Sequence, residues 1–289
     1  MIVVGYNDTP DCERALEWAA SESRRSQEAL RVVSATGMPT FADAGAGVMI
    51  DRSVIEEGAR EMAANGVKRA TELGAVEVEA VSALGNPAEM LVEAAEGARA
   101  IVLGSRGRGP VLSALLGSVS YAVAAHAPCP VVVVRADAPS VGTEHPIMVG
   151  VDESAPSQRA LALAAEVADE RGATVHLASV WSHPAATIAA ASYLDGAVLM
   201  SAGEGIEEAV TAELRQTADR LRAEHPDLKI TTAVLEGDPA SALAAEAERV
   251  GAALLAIGTR GRGGFRGMML GSVSHGVLHA AKCPVAIVR

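Results

Sequence analysis

Residues 255–289 read LAIGTRGRGGFRGMMLGSVSHGVLHAAKCPVAIVR, and residues 101–135 read IVLGSRGRGPVLSALLGSVSYAVAAHAPCPVVVVR. The two stretches align without gaps and are identical at 17 of 35 positions. Such self-similarity indicates that the chain contains two copies of one structural unit. Each stretch runs from an apolar segment through a glycine-rich segment to a closing valine-rich segment, which is typical of a strand, a loop with a helix, and a second strand.

The repeat continues toward the beginning of each copy. Gly85-Asn-Pro-Ala88 matches Gly237-Asp-Pro-Ala240, and Val3-Val-Gly-Tyr-Asn7 corresponds more loosely to Met148-Val-Gly-Val-Asp152. We therefore divide the 289 residues into two domains, residues 1–137 and residues 146–289. Residues 138–145 have the small, polar, proline-containing composition of a linker.

Each half alternates apolar runs with alanine- and glutamate-rich helical stretches. In the second half, strands are predicted at 147–151, 174–180, 229–235, 253–257 and 285–288, and helices at 157–170, near 204–224 and from Pro239 onward. Apolar strands without strict alternation predict a parallel sheet covered on both faces. Right-handed crossovers then give the α/β class, with two tandem doubly wound domains.

The net charge of −12 and the pI near 5.1 argue against a protein that coats a nucleic-acid backbone. No run approaches the length of a membrane-spanning helix, and the first residues show neither a basic region nor a cleavage site. We therefore expect a soluble, cytoplasmic protein that binds neither membrane nor nucleic acid. Three scattered cysteines predict no disulfide framework, and the seven histidines are not interpreted as a zinc site.

The strongest chemical pattern is Gly104-x2-Gly107-x9-Gly117-Ser118, together with its copy Gly258-x2-Gly261-x9-Gly271-Ser272. Glycines let backbone N–H groups approach an anion, and the helix that follows offers unpaired donors and a partial positive charge. Neither a Walker P-loop nor a dinucleotide fingerprint after the first strand is present. The pattern favours a nucleotide other than NAD, although glycines can also simply close a tight turn.

These motifs together resemble the universal stress protein family in its tandem form. The glycine pattern, the first-strand Val-Gly-Val-Asp152, the Gly-x-Pro before the third helix and the closing Cys-Pro-Val strand carry the resemblance over both halves. The resemblance implies a five-stranded parallel sheet of order 3-2-1-4-5 in each domain, and pairing of the two domains through their last strands. It also implies ATP binding, with Mg²⁺, by members that keep the glycines.

Carried over by position, the resemblance assigns nucleotide-binding residues to both halves, and it assigns no catalytic residue. The acidic position that ends the first strand falls on Asp152 and Asn7, and the adenine-side position of the second strand falls on Val180 and Ala35. Asp152 is also the candidate Mg²⁺ contact. The loop and helix positions are Gly258, Gly261, Gly271, Ser272, Val273 and Ser274, and, in the first half, Gly104, Gly107, Gly117, Ser118, Val119 and Ser120.

One position departs from the family pattern. Asn7 keeps the hydrogen-bonding capacity of the expected aspartate but lacks its charge, so we expect a weaker first site. Four loop arginines, Arg106, Arg108, Arg260 and Arg262, either reach the phosphates or are simply solvated. Residues 37–50 and 183–203 are expected to form either flaps over the sites or surfaces for partners.

The leading hypothesis is an ATP-binding regulatory protein of the stress response, and we expect it to be a homodimer. Because no clear general base accompanies either glycine loop, we do not expect an efficient enzyme. One alternative is a slow ATPase or an adenylyl-handling enzyme of the same fold group. The H-I-G-H, K-M-S-K-S and S-G-G-x-D-S patterns of such enzymes are absent from the sequence. A second alternative is a nucleotide-free dimeric scaffold.

Overall fold

The computed structural model places the backbone of most of the chain. It describes residues 1–37, 51–107, 116–139, 144–182, 196–261 and 270–289, with side chains from residue 205 onward in the segment that begins at 196. These residues divide into two units, Met1–Ala138 and Pro139–Arg289. Arg108, Arg262, residues 38–50 and residues 183–195, on which loop contacts and flaps are predicted, lie outside the described residues.

The first unit alternates five strands with four helices among its described residues. In chain order these are β1 (Ile2–Gly5), α1 (Pro10–Ser26), β2 (Ala29–Thr36), α2 (Arg52–Glu72), β3 (Val76–Leu84), α3 (Pro87–Ala94), β4 (Ala100–Gly104), α4 (Ser118–His126) and β5 (Val131–Val134). The strands are parallel and lie in the order β3-β2-β1-β4-β5. Helix α1 packs with α2, and α3 packs with α4.

The second unit repeats this plan. Its elements are β6 (Ile147–Gly150), α5 (Ala155–Arg171), β7 (Val175–Trp181), α6 (Gly196–Glu224), β8 (Ile230–Glu236), α7 (Pro239–Val250), β9 (Leu254–Gly258), α8 (Ser272–Ala280) and β10 (Val285–Val288). The strands are again parallel, in the order β8-β7-β6-β9-β10. The predicted α/β class with two tandem doubly wound domains is therefore confirmed.

Local sequence explains where the helices begin and end. Thr9, Ser154 and Asp238 cap α1, α5 and α7 by accepting a hydrogen bond from a first-turn N–H group. Helices α5 and α7 end at Gly172 and Gly251, whose φ angles of 62° and 63° suit a residue without a Cβ. Helix α6 starts at Gly196, upstream of the predicted 204, because Gly203 and Gly205 lie inside the helix instead of interrupting it.

The core of each unit is the centre of its sheet. The middle strands β1, β4 and β9 are buried or nearly so, and their residues are almost all Val, Ile, Leu, Ala and Gly. The last strands β5 and β10 are buried as well. The edge strands β3 and β8 are partly exposed and carry glutamates and threonines. This gradient is expected of a parallel sheet whose middle strands are covered by helices on both sides.

Two glycines at the ends of β4 and β9 allow a close contact with the first helix of each unit. A Cβ on Gly104 would lie 2.8 Å from the main-chain N of Cys12, and a Cβ on Gly258 would lie 2.8 Å from the main-chain N of Ser157. Such a distance is shorter than van der Waals contact, and the opposing atoms are backbone that cannot rotate away. Glycine is therefore required at both positions by packing alone.

We predict that Gly104→Ala lowers the free energy of unfolding by about 1–3 kcal/mol, the usual cost of an overpacked core. Gly58→Ala is the matched control. Gly58 lies in α2 with nothing within 4 Å of an added Cβ, so alanine there should stabilise the helix slightly. Urea unfolding followed by circular dichroism measures both variants. Equal unfolding midpoints for Gly104→Ala and the wild type would contradict the packing role.

A polar cluster with two buried members, His176 and Glu246, joins β7, β8 and α7 in the second unit. The ring nitrogens of His176 lie 2.8 Å from the Thr231 hydroxyl and 2.8 Å from a Glu246 carboxylate oxygen. Arg249 donates two hydrogen bonds to the same carboxylate, at 2.7 and 2.6 Å. These hydrogen bonds from Arg249 lower the pKa of Glu246 from its ordinary value, although burial of the carboxyl opposes the shift.

This shift predicts a pH dependence of stability. Because the pKa of Glu246 is lower in the folded state, its carboxylate stabilises the fold above the unfolded pKa of about 4.3. That contribution is lost as the pH falls through the folded pKa. We predict that the urea midpoint of Glu246→Gln falls less between pH 7 and pH 3 than that of the wild type. Glu248→Gln removes only an exposed pair with Lys282, so its urea midpoint should fall with pH as much as that of the wild type. An equal fall for all three proteins would refute the role of Glu246 in this pH dependence.

The cysteine thiols lie in environments that suppress their reactivity. Cys12 and Cys283 are buried, and burial raises the pKa of Cys12 and raises that of Cys283 to about 12. Burial likewise raises the pKa of Cys129 to about 11. Thiols with raised pKa values are poor nucleophiles at neutral pH. Separately, the described helices include none with the length and hydropathy that a bilayer crossing requires.

Candidate functional site

A cavity of about 480 Å³ opens in the second unit where three parallel strands end. Gly150 at the end of β6, Val180 near the end of β7 and Gly258 at the end of β9 all line it. In a doubly wound sheet the crevice beyond the carboxyl ends of the strands, where the strand order reverses, is the usual place for a ligand. The reversal in this unit lies between β6 and β9.

The structure gathers the residues that the sequence predicts for the second half. All eight of them line this one cavity: Asp152, Val180, Gly258, Gly261, Gly271, Ser272, Val273 and Ser274. The residues come from four separate parts of the unit, namely the turn after β6, strand β7, the loop after β9 and the first turn of α8. Nucleotide binding by these residues stays a prediction.

Asp152 is held by the turn that connects β6 to α5. Its Oδ1 accepts hydrogen bonds from the backbone N–H of Ser154 at 3.1 Å and from the Ser154 hydroxyl at 2.7 Å. Its own backbone N–H donates to the Ser157 hydroxyl at 3.2 Å, and that hydroxyl donates to the Gly150 carbonyl at 3.2 Å. The preceding strand and the following helix therefore fix the carboxylate at the rim of the cavity.

The glycine loop approaches this carboxylate closely. A Cβ on Gly261 would overlap Oδ2 of Asp152, so only glycine fits against the acid. The Ser154 hydroxyl also lies 3.1 Å from the Arg260 carbonyl oxygen, which ties the loop to the turn after β6. The turn after β6 and the glycine loop after β9 are thus joined through Asp152 and Ser154.

The last glycine and serine of the motif, Gly271 and Ser272, lie at the start of α8. The Gly271 N–H donates to the Thr259 carbonyl at 2.8 Å, which closes the loop onto the end of β9. A glycine cap has no side chain to satisfy the first-turn N–H groups, so the N–H groups of Ser272 and Val273 are available to an anion in the cavity. The Ser272 side chain is exposed.

Ser274 differs from Ser272 in how its hydroxyl is used. The buried Ser274 hydroxyl lies 2.8 Å from the Gly258 carbonyl and 2.9 Å from the Thr259 carbonyl, and it donates to them. The corresponding Ser120 hydroxyl donates to the Gly104 carbonyl at 2.7 Å. Both serines thereby attach the start of the helix to the end of the strand. The sequence predicts that these two serines contact the nucleotide, but their hydroxyl protons are already donated to main-chain carbonyls.

Sequence reasoning missed the walls of the cavity. Helix α6 contributes Val210, Glu213, Leu214 and Thr217, and α7 contributes Pro239 and Leu243. The sequence predicts both helices, but it does not show which face of α6 lies over the ends of the strands. The sequence Ser154-Ala-Pro156 is typical of a helix start, and a capping serine lies next to the preceding turn. This pattern could have identified Ser154 as the hydrogen-bond partner of Asp152.

The first unit reproduces the backbone of this site with other side chains. Asn7 takes the place of Asp152, and its Oδ1 accepts from the Thr9 hydroxyl at 2.8 Å. A Cβ on Gly107 would lie 3.4 Å from Asn7 Nδ2, and the Gly117 N–H donates to the Ser105 carbonyl at 2.7 Å. The remaining predicted positions are placed as expected, Ala35 on β2 and Ser118 and Val119 in the first turn of α4.

Two further side chains distinguish the first unit. Tyr6 occupies the position of Val151, since the N–H groups of both residues donate to the carbonyl of the neighbouring strand, Val33 and Ala178 respectively. Val151 lines the cavity of the second unit, whereas Tyr6 is a larger buried side chain whose hydroxyl donates to Glu13. Burial and the nearby Glu13 raise the pKa of Tyr6, so the phenol stays neutral.

The loop arginine of the first unit faces an acid. The buried Asp11 accepts a hydrogen bond from the Ser105 hydroxyl at 2.5 Å, and Arg106 Nε lies 3.7 Å from the same carboxylate oxygen. In the second unit Pro156 stands at the position of Asp11, and Arg260 is exposed beside the cavity. Arg106 is thus engaged within the protein, while Arg260 lines the cavity.

Comparison with known proteins agrees with the two-fold repeat. The family model described as "Universal stress protein family" matches residues 1–135 and again residues 144–289. Universal stress protein Rv2005c of Mycobacterium tuberculosis and universal stress protein Mb2028c of Mycobacterium bovis are each 32% identical to the chain over 300 residues. Each match covers 100% of this chain and 96% of the relative.

A solved structure extends the similarity to the fold. The crystal structure of a universal stress protein from Archaeoglobus fulgidus superposes with a TM-score of 0.75 at 22% identity. That match covers 100% of this chain and 97% of the other.

Proposed function

This chain belongs to the universal stress protein family, and we propose that its second unit binds ATP as a regulatory ligand. The observation that carries the proposal is the cavity at the ends of β6, β7 and β9, which all eight predicted residues of that unit line. Its volume of about 480 Å³ falls within the range of about 300–1,000 Å³ that is usual for small-molecule sites.

The phosphates are assigned to the glycine loop and the start of α8. Gly261 and Gly271 have no side chains that would keep phosphate oxygens away from the backbone. The N–H groups of Ser272 and Val273 have no partners within the helix and carry the positive end of its dipole. Arg260 supplies a formal positive charge beside the same loop. An anion is the ligand that this set of donors suits best.

The nucleoside is assigned to Asp152 and to the apolar lining of the cavity. The Asp152 carboxylate can accept hydrogen bonds from ribose hydroxyls, and charged acceptors make the stronger bonds. The apolar side chains of Val151, Leu214 and Leu243 offer a surface for the flat faces of the base. Val180, close to the end of β7, also lines the cavity, and the family resemblance assigns its position to the adenine side.

Mg²⁺ fits the same residues as a companion of the phosphates. Magnesium prefers oxygen ligands and usually binds through one or two carboxylates together with phosphate and water. Asp152 is a carboxylate held next to the glycine loop by Ser154 and the Gly261 contact. When bound, the ion would neutralise phosphate charge that otherwise repels this acid.

We propose a weaker site in the first unit. Asn7 lacks the charge of Asp152, Tyr6 fills space at the position of a cavity-lining valine, and Arg106 is directed to Asp11. Each difference removes either an attraction for ATP or room for it. The physical expectation is one nucleotide bound tightly per chain. The proposal includes slow hydrolysis, with the Asp152 carboxylate held by Ser154 and assigned to the nucleotide and not to an attacking water.

The regulatory role follows from binding without rapid turnover. A ligand that persists on the protein can shift its conformational equilibrium by its differential affinity for the alternative states. The proposal includes a role in the stress response and a homodimer in the cytoplasm as its biological setting. Light scattering that finds only the 29.5 kDa species would remove the homodimer from the proposal.

We predict that Asp152→Asn weakens ATP binding by about 10- to 150-fold, since a hydrogen bond to a charged acceptor is worth about 1.5–3 kcal/mol. Asn7→Asp makes the reciprocal change in the first unit and should strengthen its site. Asp169→Asn, on the exposed face of α5 where Asp169 pairs with His225, is the control and should leave binding unchanged. Calorimetric titration with Mg²⁺-ATP measures all three. Wild-type affinity in Asp152→Asn would reject the assignment of this acid to the nucleotide.

The second prediction concerns what the purified protein carries. Chromatography of the small molecules released by denaturation should yield close to one adenine nucleotide per chain. A ratio near two would show that Asn7 and Tyr6 are tolerated in a working first site. No released nucleotide, together with no heat on titration with ATP, would contradict the proposed function and favour a nucleotide-free scaffold.

A further inference from the structure

We propose that His275 and His279 of helix α8 form a binding site for a divalent transition-metal ion, separate from the nucleotide cavity. The two Nε2 atoms face each other at 3.1 Å, and the ring centroids are 4.3 Å apart. The prediction that the histidines form no zinc site overlooked this H-x3-H spacing. On a helix, residues four apart lie on one face, which is the geometry of the paired histidines in the H-E-x-x-H zinc motif.

The separation of the two nitrogens suits a shared metal ion. With metal–nitrogen bonds of about 2.0–2.1 Å, two ligands are about 2.9 Å apart at a right angle and about 3.3 Å apart at the tetrahedral angle. The observed 3.1 Å lies between these values, so a metal can take the place of the proton that the two rings now share. Small rotations of the rings would be enough to reach either geometry.

The helix holds the pair in place. Val277 and Leu278 are buried, and a Cβ on Gly276 would meet Ala240 of α7, so α8 is pressed against its neighbour. The Ser274 hydroxyl fixes the first turn to the end of β9. His275 is left exposed and His279 half-buried, so that the side chains start from a rigid backbone on the accessible side of the helix.

Electrostatics favour a cation at this position. His279 is the penultimate residue of α8, close to the negative end of the helix dipole, where positive charges are stabilised. The net charge of the chain is −12, which raises the local concentration of cations around it. Both effects act on a metal ion of any type, so they add affinity without selecting the element.

The ligand atoms select the class of metal. Imidazole nitrogen suits Zn²⁺, Cu²⁺ and Ni²⁺, whereas Mg²⁺ and Ca²⁺ prefer oxygen. Within the described parts of the chain, no group of three His, Cys, Asp or Glu residues could hold a metal ion. The proposed site is therefore built on two protein ligands, and water or another donor completes the coordination. The residues of α8 that line the nucleotide cavity are Ser272, Val273 and Ser274, which leaves the two histidines outside it.

The test is a Zn²⁺ competition between untagged, nucleotide-free protein and a chromophoric chelator. We expect one Zn²⁺ per chain, with affinity reduced by about 10- to 100-fold in His275→Gln and in His279→Gln, because each variant loses the benefit of two linked ligands. His126→Gln is the matched control. His126 is a helical histidine on α4, the counterpart of α8, where Tyr121 and Ala125 take the places of the pair. Unchanged affinity in both variants, or an equal loss in His126→Gln, would overturn the proposal.

A second measurement is independent of the variants' folding. Wild-type protein loaded with one equivalent of Cu²⁺ should give an electron paramagnetic resonance spectrum with hyperfine coupling to two imidazole nitrogens. Coupling to one nitrogen or none would overturn the proposal. Mg²⁺ in excess should displace neither metal, and ATP titration of His279→Gln should match the wild type, which separates this site from the nucleotide site.

Discussion

The contact on which each unit depends is the approach of a strand end to a helix backbone where no Cβ can fit. Gly104 ends β4 against the first turn of α1, and Gly258 ends β9 against the first turn of α5. This approach brings together the turn after the first strand, the glycine loop and the start of the last helix. Ser120 and Ser274 then fasten that helix to the same strand end. The first glycine of the motif is therefore a packing residue, and the crevice is a consequence of its packing.

The two units show how one backbone can carry different interiors. The matched N–H groups of Tyr6 and Val151 make the same sheet hydrogen bond, yet one side chain fills space that the other leaves open. Asp11 satisfies the buried Ser105 hydroxyl. In the second unit Pro156 replaces this acid, and the buried Thr259 hydroxyl has no hydrogen-bond partner within the described residues. At these positions the first unit has internal polar contacts, while the second unit has an open crevice.

Sequence predicted the parts of the structure that local patterns encode. The strand–helix order, the helix start at Pro239 and eight of the residues that line the cavity all follow from spacing or from the family resemblance, because each depends on neighbours in the chain. The start of α6 at Gly196 and the wall formed by Leu214 and Leu243 did not follow. These depend on how a helix is rotated over the sheet, which is decided by packing between residues far apart in sequence. The sequence shows that Tyr6 stands where the second unit has Val151. That a larger side chain there fills space follows only from the structure, in which Val151 lines the cavity.

The character of the site follows from where its hydroxyl protons go. Catalysis of hydrolysis needs a group that can take a proton from water, placed within hydrogen-bond reach of it. Around the cavity of the second unit, the Ser154 hydroxyl donates to Asp152, that of Ser157 to the Gly150 carbonyl, and that of Ser274 to the end of β9. These bonds make the crevice rigid before any ligand arrives, which lowers the ordering cost of binding. Serine hydroxyls are weak bases in any case, and the groups around the cavity that could take such a proton are the carboxylates of Asp152, Glu153 and Glu213. The serine contacts thus prepare the crevice for the proposed nucleotide, whereas the proposal that ATP stays bound without rapid turnover requires that none of these carboxylates reaches an attacking water.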